Sequence, residues 1–298
     1  GDFLVGGYFS WEIDVWKKLR NSKNAAVSRF LGSIEGKNFL TSQLVSEIAE
    51  TYFELIALDQ KREIINRNIS IQEKALEVVK QQKEAARVSQ LAINRFEAQL
   101  LNTKNLKFEV QQEIVLCESK INYLVGRFPQ KITRDLQSFN ETAFPELSTG
   151  VPSQLLLNRP DIRQAEQELS AARLDVKVAK ANFLPQFSIS ANLGFNAFRP
   201  QVWFNPQSLL YNLVGDLMMP LLNRNGLKAQ YIQANAQQNK AVYKYEQSIL
   251  NGFTEVYNQL AGMDNFSKSY QMKRQEVDIL NQSVDISNQL FSSARADY

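Results

Sequence analysis

The residue types that usually carry enzyme or metal chemistry are scarce in this chain. Its 298 residues include no His and a single Cys, Cys117. Zinc sites and Cys–His catalysis both depend on these side chains. Cys117 lies in a helical pattern, where a small buried apolar residue is the usual interpretation. The composition therefore predicts no metal site and no catalytic residue.

One stretch comes close to a nucleotide-binding motif. Gly32–Lys37 reads GSIEGK, which is one residue shorter than a P-loop and is followed by Asn38 instead of Ser or Thr. A P-loop also follows a strand, whereas this stretch lies within a helical pattern. No GxSxG, HExxH or GxGxxG motif occurs. The sequence accordingly predicts that the protein is not an enzyme and binds no cofactor.

The charge balance bears on possible partners. The formal net charge is +3, and the 34 Lys and Arg residues form no basic block. Because nucleic-acid recognition usually needs clustered basic side chains, no nucleic-acid partner is expected. The absence of His and the presence of only four Met give little support to a metal-selective surface.

Three segments alternate between apolar and polar residues, which is the period of a β-strand with two unlike faces. In residues 185–198, one face carries Phe187, Ile189, Leu193 and Phe195, and the other carries Ser188, Ser190, Asn192 and Asn196. Residues 3–13 alternate in the same way, and residues 208–219 do so more weakly. A half-buried strand in a soluble sheet gives the same pattern, so alternation alone leaves that alternative open.

Most of the remaining sequence is typical of long helices. Residues 15–125 predict a helical hairpin that turns near residues 86–90, with Ser89 able to cap the second helix and Gly126 ending it. An irregular connector over 126–160 leads to a short helix at 161–182, and a second long helix is predicted over 227–294. A helix of roughly 70 residues would be about 105 Å long. Such a length exceeds the needs of a globular core, and an extended coiled coil is the simplest alternative.

The two long helical regions resemble each other. Arg20, Asn21 and Ala25 align with Arg224, Asn225 and Ala229, and further along Glu50, Tyr52 and Leu55 align with Glu255, Tyr257 and Leu260. Both regions follow the order strand, bend, long helix and Arg-containing tip. Ordered similarity of this kind predicts an internal duplication.

Four stretches of the sequence form a specific set of motifs. The most specific is Pro152–Ile162, which reads PSQLLLNRPDI and is followed by Ala165-Glu166 and Ala171-Ala172 on a helix. The three shorter stretches are Trp11–Asp14, Leu124–Arg127 and Phe183–Pro185. Together these motifs resemble the TolC-type outer-membrane efflux proteins, the exit ducts of tripartite pumps and type I secretion systems.

The resemblance implies a mainly α fold with a few β-strands. Long helical hairpins would form an α-barrel across the periplasm, and strands from three protomers would share one β-barrel in the bacterial outer membrane. Each protomer of the family contributes four strands, whereas this sequence predicts three. The chain is therefore expected to be a central fragment of a longer family member.

Within this scheme, the strand alternation assigns two faces. The resemblance places Ser188, Ser190, Asn192 and Asn196 in the barrel lumen, and Phe187, Ile189, Leu193 and Phe195 against lipid. Three such strands, each beside a long helix, favour the barrel over a soluble sheet. A backbone in lipid must satisfy its own hydrogen bonds, so strands cross a membrane only in a closed barrel. Trp11 and Trp16 fit either an interfacial aromatic belt or packing at the bend.

The two hairpin tips are the other expected sites. In the family they form the periplasmic entrance and meet the adaptor protein, which implies contact residues Arg87, Val88, Ser89, Arg295, Asp297 and Tyr298. Asp297 fits either an acidic ring at a cation-favouring gate or an ordinary helix N-cap. Ala92-Ile93 stands where family members often carry Asp-Val, so an acidic role at the first tip is not expected.

The resulting functional prediction is passive export of small molecules. A homotrimer would act with a periplasmic adaptor, an inner-membrane pump and outer-membrane lipid. The alternative is a structural or adaptor coiled-coil protein without a pore.

Overall fold

The computed structural model describes residues 3–85, 88–134, 158–202, 204–220, 222 and 224–292. Two compact units divide the chain. The first comprises Gly1–Lys37 together with Gly150–Tyr298, and the second comprises Asn38–Thr149.

The elements confirm a mainly helical fold with a few strands. Strand β1 (Phe3–Ile13) precedes helices α1 (Lys18–Glu84), α2 (Gln90–Leu124) and α3 (Pro160–Ala181). Strand β2 (Gln186–Ala197) and strand β3 (Leu209–Met218) follow, with two 3₁₀ turns between them, and helix α4 (Arg224–Ser292) ends the order. No helix among the described residues is long and apolar enough to cross a membrane.

Three details differ from the sequence-based expectations. Helix α4 starts at Arg224, so Gly226 lies in its first turn and not in the preceding bend; the first turn tolerates Gly because its N–H groups have no intrahelical partners. Ser89 occupies the N-cap position of α2 but forms no side-chain capping hydrogen bond. Helix α1 starts at Lys18, later than expected, because the chain first turns through Lys17 at a φ of 58°. The connector residues 135–157 lie outside the described part of the chain.

The first unit contains an antiparallel sheet in the order β1-β2-β3. Gly6 pairs with Gly194 across β1 and β2. A Cβ atom added to Gly194 would lie 2.7 Å from the carbonyl oxygen of Val5 and 2.9 Å from Cα of Gly6. The close approach of the two strands therefore requires glycine at this pair.

Helix α3 holds the helical part of the first unit together. Its buried residues Ala165, Ala172 and Ala179 are small, and small residues let neighbouring backbones approach closely. Gln164 and Gln167 of α3 lie beside Gly36 and Gly32 of α1. The two glycines of the GSIEGK stretch thus serve helix packing, and the stretch lies inside α1 as the sequence predicted.

The second unit is a helical hairpin whose buried apolar residues form two clusters, of which the larger lies further from the tip. Leu55, Leu58 and Ile65 of α1 pack with Val110, Ile114, Cys117 and Ile121 of α2. Burial raises the pKa of the Cys117 thiol, as does the negative charge of Glu54. Cys117 is therefore the small buried apolar residue expected from the sequence.

Polar side chains bind the segment after α2 to this hairpin. Gly126 takes a φ of 75° and ends the helix. The Arg134 guanidinium lies 2.7 Å from the carboxylate of Asp59 and 3.0 Å from that of Glu118. Asn122 donates a hydrogen bond of 2.7 Å to the carbonyl oxygen of Gln130. These contacts fix the first residues of the connector against α1 and α2.

Candidate functional site

The strand register brings the predicted lumen residues onto one face of the sheet. Ser188 pairs with Glu12 on β1 and with Asp216 on β3, and Asn192 pairs with Tyr8 and Asn212. Tyr8 donates a hydrogen bond of 3.4 Å to Ser190 on this face. Because residues directly opposite share a face, the polar surface of β1 and β2 reaches β3 at Asn212 and Asp216, whereas Val214 of β3 lies opposite Ser190. The even-numbered residues of β1 and β3 were not among the predicted site residues, although the same alternation places them there.

Asn196 lies at the end of β2 on the polar face. It pairs with Leu4 of β1. Its Oδ1 atom is shielded and has no hydrogen-bond partner among the described residues. Because Leu4 lies directly opposite Asn196, this face is less polar at that end of the sheet.

The predicted lipid-facing residues lie together on the opposite face. Phe187 pairs with Ile13 and Leu217, and Ile189 pairs with Trp11 and Gly215. Leu193 lies opposite Gly7 and Tyr211. Phe195 is covered at one end by Phe204, whose ring lies at a centroid distance of 5.5 Å. The face is thus apolar and aromatic across its width.

The apolar face is exposed within this single chain. Leu193 is 56% exposed, Phe9 is 69% exposed and Leu213 is 74% exposed. In the described part of the chain, β1 and β3 each have one hydrogen-bonded neighbouring strand. A continuous apolar surface of this kind marks an interaction with another protein or with a membrane.

A set of hydrogen bonds holds the bend between β1 and α1. The Asp14 carboxylate accepts backbone hydrogen bonds of 2.9 Å from Leu19 and 2.9 Å from Arg20. Desolvation raises the pKa of Asp14, but these bonds and the Arg20 guanidinium outweigh it, so the pKa lies below its ordinary value. The indole of Trp16 donates to the carbonyl oxygen of Pro185 at 2.8 Å. Trp16 therefore packs at the bend, whereas Trp11 lies on the apolar face.

The Arg-Pro-Asp motif joins α3 to α4. Arg159 donates two hydrogen bonds to Asp161, of 3.1 and 2.8 Å, and one of 2.7 Å to Glu255. Gly252 provides room for the arginine, since a Cβ there would lie 3.1 Å from its Nε. The hydrogen bonds that Arg159 donates to Asp161 raise the pKa of Arg159 despite desolvation. Desolvation raises the pKa of Asp161, but Arg159 and the Ile162 amide lower it below its ordinary value.

The first hairpin tip is described in part. Val88 packs against the cluster formed by Leu76, Val79, Ile93 and Leu100. Ser89 is exposed, and its carbonyl oxygen accepts a hydrogen bond of 3.1 Å from the Ala92 amide. Lys83 and Gln90 form a hydrogen bond across the turn. Arg87, Arg295, Asp297 and Tyr298 lie outside the described residues.

No group of three or more His, Cys, Asp or Glu side chains in the described segments is arranged to hold a metal ion. The polar face instead carries hydroxyl and amide groups and the carboxylates of Glu12 and Asp216, of which Glu12 forms an ion pair with Lys18. This arrangement can contact water and polar solutes.

Comparison with known proteins shows what this chain is similar to. Residues 151–293 match the family model described as "Outer membrane efflux protein". The resemblance noted in the sequence motifs is therefore confirmed: over these residues the chain is similar to the outer membrane efflux proteins.

Named relatives extend the similarity along the chain. The pyoverdine export outer membrane protein OpmQ of Pseudomonas aeruginosa is 26% identical over 98% of this chain and 61% of its own length. The solvent efflux pump outer membrane protein SrpC of Pseudomonas putida is 26% identical over 99% of this chain and 63% of its own length. The chain thus spans less than two thirds of these relatives.

A solved structure shows the same fold. A crystal structure of CusC superimposes with a TM-score of 0.85 at 24% sequence identity, covering 100% of this chain and 69% of the CusC chain. The arrangement of strands and long helices described above is therefore the fold of CusC.

Proposed function

We propose that the complete protein is the outer-membrane exit duct of a tripartite efflux or type I secretion system. It exports small molecules passively from the periplasm and performs no covalent chemistry. The protein resides in the bacterial outer membrane and extends into the periplasm, and three protomers form the duct. The motif Arg159–Asp161, the family match and the OpmQ and SrpC relatives all support this assignment.

The observation that carries the proposal is the sheet with two unlike, exposed faces. A soluble sheet buries its apolar face against a core, but Phe9, Trp11 and Leu213 remain exposed here. The period-two alternation over strands of 10 to 12 residues matches membrane strands, which need roughly 9–11 tilted residues. In a closed barrel, the apolar face contacts lipid and the face carrying Ser188, Ser190 and Asn192 lines the lumen.

The helices supply the periplasmic part of the duct. Helix α1 has 67 residues and α4 has 69, so each is about 100 Å long at 1.5 Å per residue. A periplasmic adaptor docks at the hairpin tips, where Val88 and Ser89 belong to the contact surface with Arg87, Arg295, Asp297 and Tyr298. Docking shifts the helices from a closed to an open arrangement, and an inner-membrane pump provides the energy.

Planar-bilayer recordings of the full-length protein test this function. We expect discrete conducting events, because the polar face lines a water-filled pore. Asp216 lies on that face beside Ser188, so Asp216→Lys should shift the reversal potential in a salt gradient towards anion preference. Asp216→Glu, which keeps the charge, is the matched control and should leave the reversal potential unchanged.

Two outcomes would reject the proposal. An absence of conducting events under every condition tried would contradict a duct. A full-length protein that is a detergent-independent monomer or dimer would instead support a coiled-coil protein without a pore.

A further inference from the structure

A cavity lies where the sheet meets the helices of the first unit. Its volume is about 570 Å³, and its lining includes Trp16, Lys17, Asn21, Lys177, Lys180 and Leu184. These residues come from the bend between β1 and α1 and from the end of α3 before β2. The volume falls in the range of ligand pockets, roughly 300–1,000 Å³.

The cavity carries positive charge that the described residues do not neutralise. Lys17, Lys177 and Lys180 line it, and no carboxylate does so. None of the three forms an ion pair with a carboxylate in the described segments. The neighbouring acids are engaged elsewhere, since Glu12 lies 2.6 Å from Lys18 and Asp14 is bound by Arg20.

The aromatic residues around the cavity fix part of its wall. The hydrogen bond from Trp16 to Pro185 holds the indole at the rim, and Lys180 lies 6.0 Å from the ring centroid of Tyr231. Tyr231 in turn packs edge-to-face with Phe183. Tyr231 and Phe183 do not line the cavity, but Tyr231 contacts the Lys180 side chain from outside, so that less conformational freedom of this lysine is lost when an anion binds.

The position of the cavity indicates the kind of anion. Leu184 lies at its rim and is partly exposed, and β2 begins at Gln186 with Phe187 on the apolar face. If the sheet spans the membrane as proposed above, this cavity lies at the membrane–water boundary. Trp favours that boundary, and Lys side chains near it attract anionic lipids.

We propose that the cavity binds the phosphate of an anionic phospholipid, with the acyl chains lying along the apolar face of the sheet. The three ammonium groups donate charge-assisted hydrogen bonds to the phosphate oxygens. The proposal rests on the membrane location given under the proposed function. It adds a specific lipid site to a barrel that would otherwise contact lipid only through apolar side chains.

The test measures lipid retention by the full-length protein. The protein is placed in nanodiscs containing phosphatidylglycerol and phosphatidylcholine, released into detergent, and the bound lipids are counted by native mass spectrometry. We expect preferential retention of phosphatidylglycerol. The triple variant Lys17→Gln, Lys177→Gln and Lys180→Gln should lower that retention by about tenfold, since each Lys near the surface contributes to binding anionic lipid.

A matched variant controls for the change in net charge. Lys74, Lys107 and Lys131 are exposed lysines of the second unit, and their replacement by Gln should leave phosphatidylglycerol retention unchanged. Equal losses in the two triple variants would overturn the specific site. Equal retention in the cavity variant and the wild type would overturn it as well.

Two further measurements distinguish a lipid site from a soluble phosphate site, and failure of the lipid site from failure of the proposed duct. Inorganic phosphate alone, titrated against the detergent-solubilised protein, should bind far more weakly than the lipid, and equally tight binding would replace the lipid with a soluble phosphate. Bilayer conductance is recorded for the cavity variant in parallel. Conducting channels that retain phosphatidylglycerol as the wild type does would reject the lipid site while leaving the duct intact.

Discussion

The apolar residues are buried in the helical hairpin of α1 and α2, whereas those of the apolar face are exposed in the three-stranded sheet. In the hairpin, Leu55 is 0% exposed and Ile114 is 1% exposed, because the two helices cover one another. In the sheet, Leu193 and Leu213 of the apolar face remain more than half exposed. Both regions have regular apolar periodicity, but only the hairpin forms a core from its own residues.

The difference shows where each region obtains its stability. Burial of apolar surface stabilises the hairpin by about 25 cal/mol per Å² removed from water. The sheet gains its backbone hydrogen bonds and the Gly6–Gly194 close contact, but its apolar face gains little from the rest of the chain. Under the proposed function, lipid supplies the environment that a protein core supplies to the hairpin.

The largest effect is expected from a charge on the apolar face. Leu193→Lys places an ammonium near the middle of the strand, where lipid-facing Lys costs about 2–4 kcal/mol, and the cost recurs in every protomer of a trimer. Folding of the full-length protein into vesicles, followed by heat-modifiable electrophoretic mobility, measures the loss. Asn192→Lys, one residue away on the polar face, should fold nearly as well as the wild type. Equal losses for the two variants would remove the distinction between the faces.

The hairpin should respond to the removal of buried apolar atoms. Ile114→Ala leaves a cavity between α1 and α2 and should destabilise the hairpin by about 2–5 kcal/mol. Hydrogen exchange of the α1 and α2 amides in the full-length protein reports the local loss of protection. Val115→Ala changes the neighbouring residue, which is 43% exposed, and should have much less effect. If both variants exchanged alike, the described hairpin core would be wrong.

A smaller effect is expected at the junction of α3 and α4. Arg159→Ala removes the contacts to Asp161 and Glu255 and should cost about 1–2 kcal/mol, since Glu255 is largely exposed and the pair is screened by water. Hydrogen exchange at Ile162 and Arg163 measures the loss of protection. Arg173→Ala, an exposed residue of the same helix, is the control and should leave exchange unchanged. Unaltered exchange in Arg159→Ala would show that the motif does not join the two helices.

The Arg159–Asp161 contact also predicts that stability depends on pH, and this is the smallest of the expected effects. The pKa of Asp161 is lowered in the folded protein, so its ionised form adds stability above its unfolded pKa of about 3.9. That contribution is lost as the pH falls through the lower folded pKa. Thermal unfolding between pH 7 and pH 2 should therefore show a steeper acid-side loss for the wild type than for Asp161→Asn. Parallel curves of unfolding temperature against pH for the two proteins would contradict the lowered pKa of Asp161.

Local patterns predicted the elements well, but long-range partners could not be predicted from them. Alternation placed β2 within a residue of Gln186–Ala197, because side-chain direction in a strand depends only on local geometry. The Arg159–Glu255 contact joins residues 96 positions apart, and no local pattern specifies such a pair. The basic cavity was missed for the same reason, since Lys17 and Lys177 come together only when α3 packs against α1.

The ends of elements were harder to predict for a physical reason. Ser89 had the right residue type for a side-chain cap, yet its exposed hydroxyl forms no capping bond. At the other bend, Asp14 binds the Leu19 and Arg20 amides from outside the helix. Several side chains can satisfy the same free amides, so sequence alone does not select one.

The most direct test of the central claim is a scan of side-chain environment along β2. Single cysteines at positions 187 to 196, in a full-length protein whose native cysteines are replaced, are spin-labelled and reconstituted into vesicles. Accessibility to oxygen reports lipid, and accessibility to a polar nickel complex reports water. We predict oxygen maxima at Phe187, Ile189, Leu193 and Phe195, with nickel maxima at Ser188, Ser190 and Asn192. A profile without a period of two, or one with the faces exchanged, would contradict the barrel assignment.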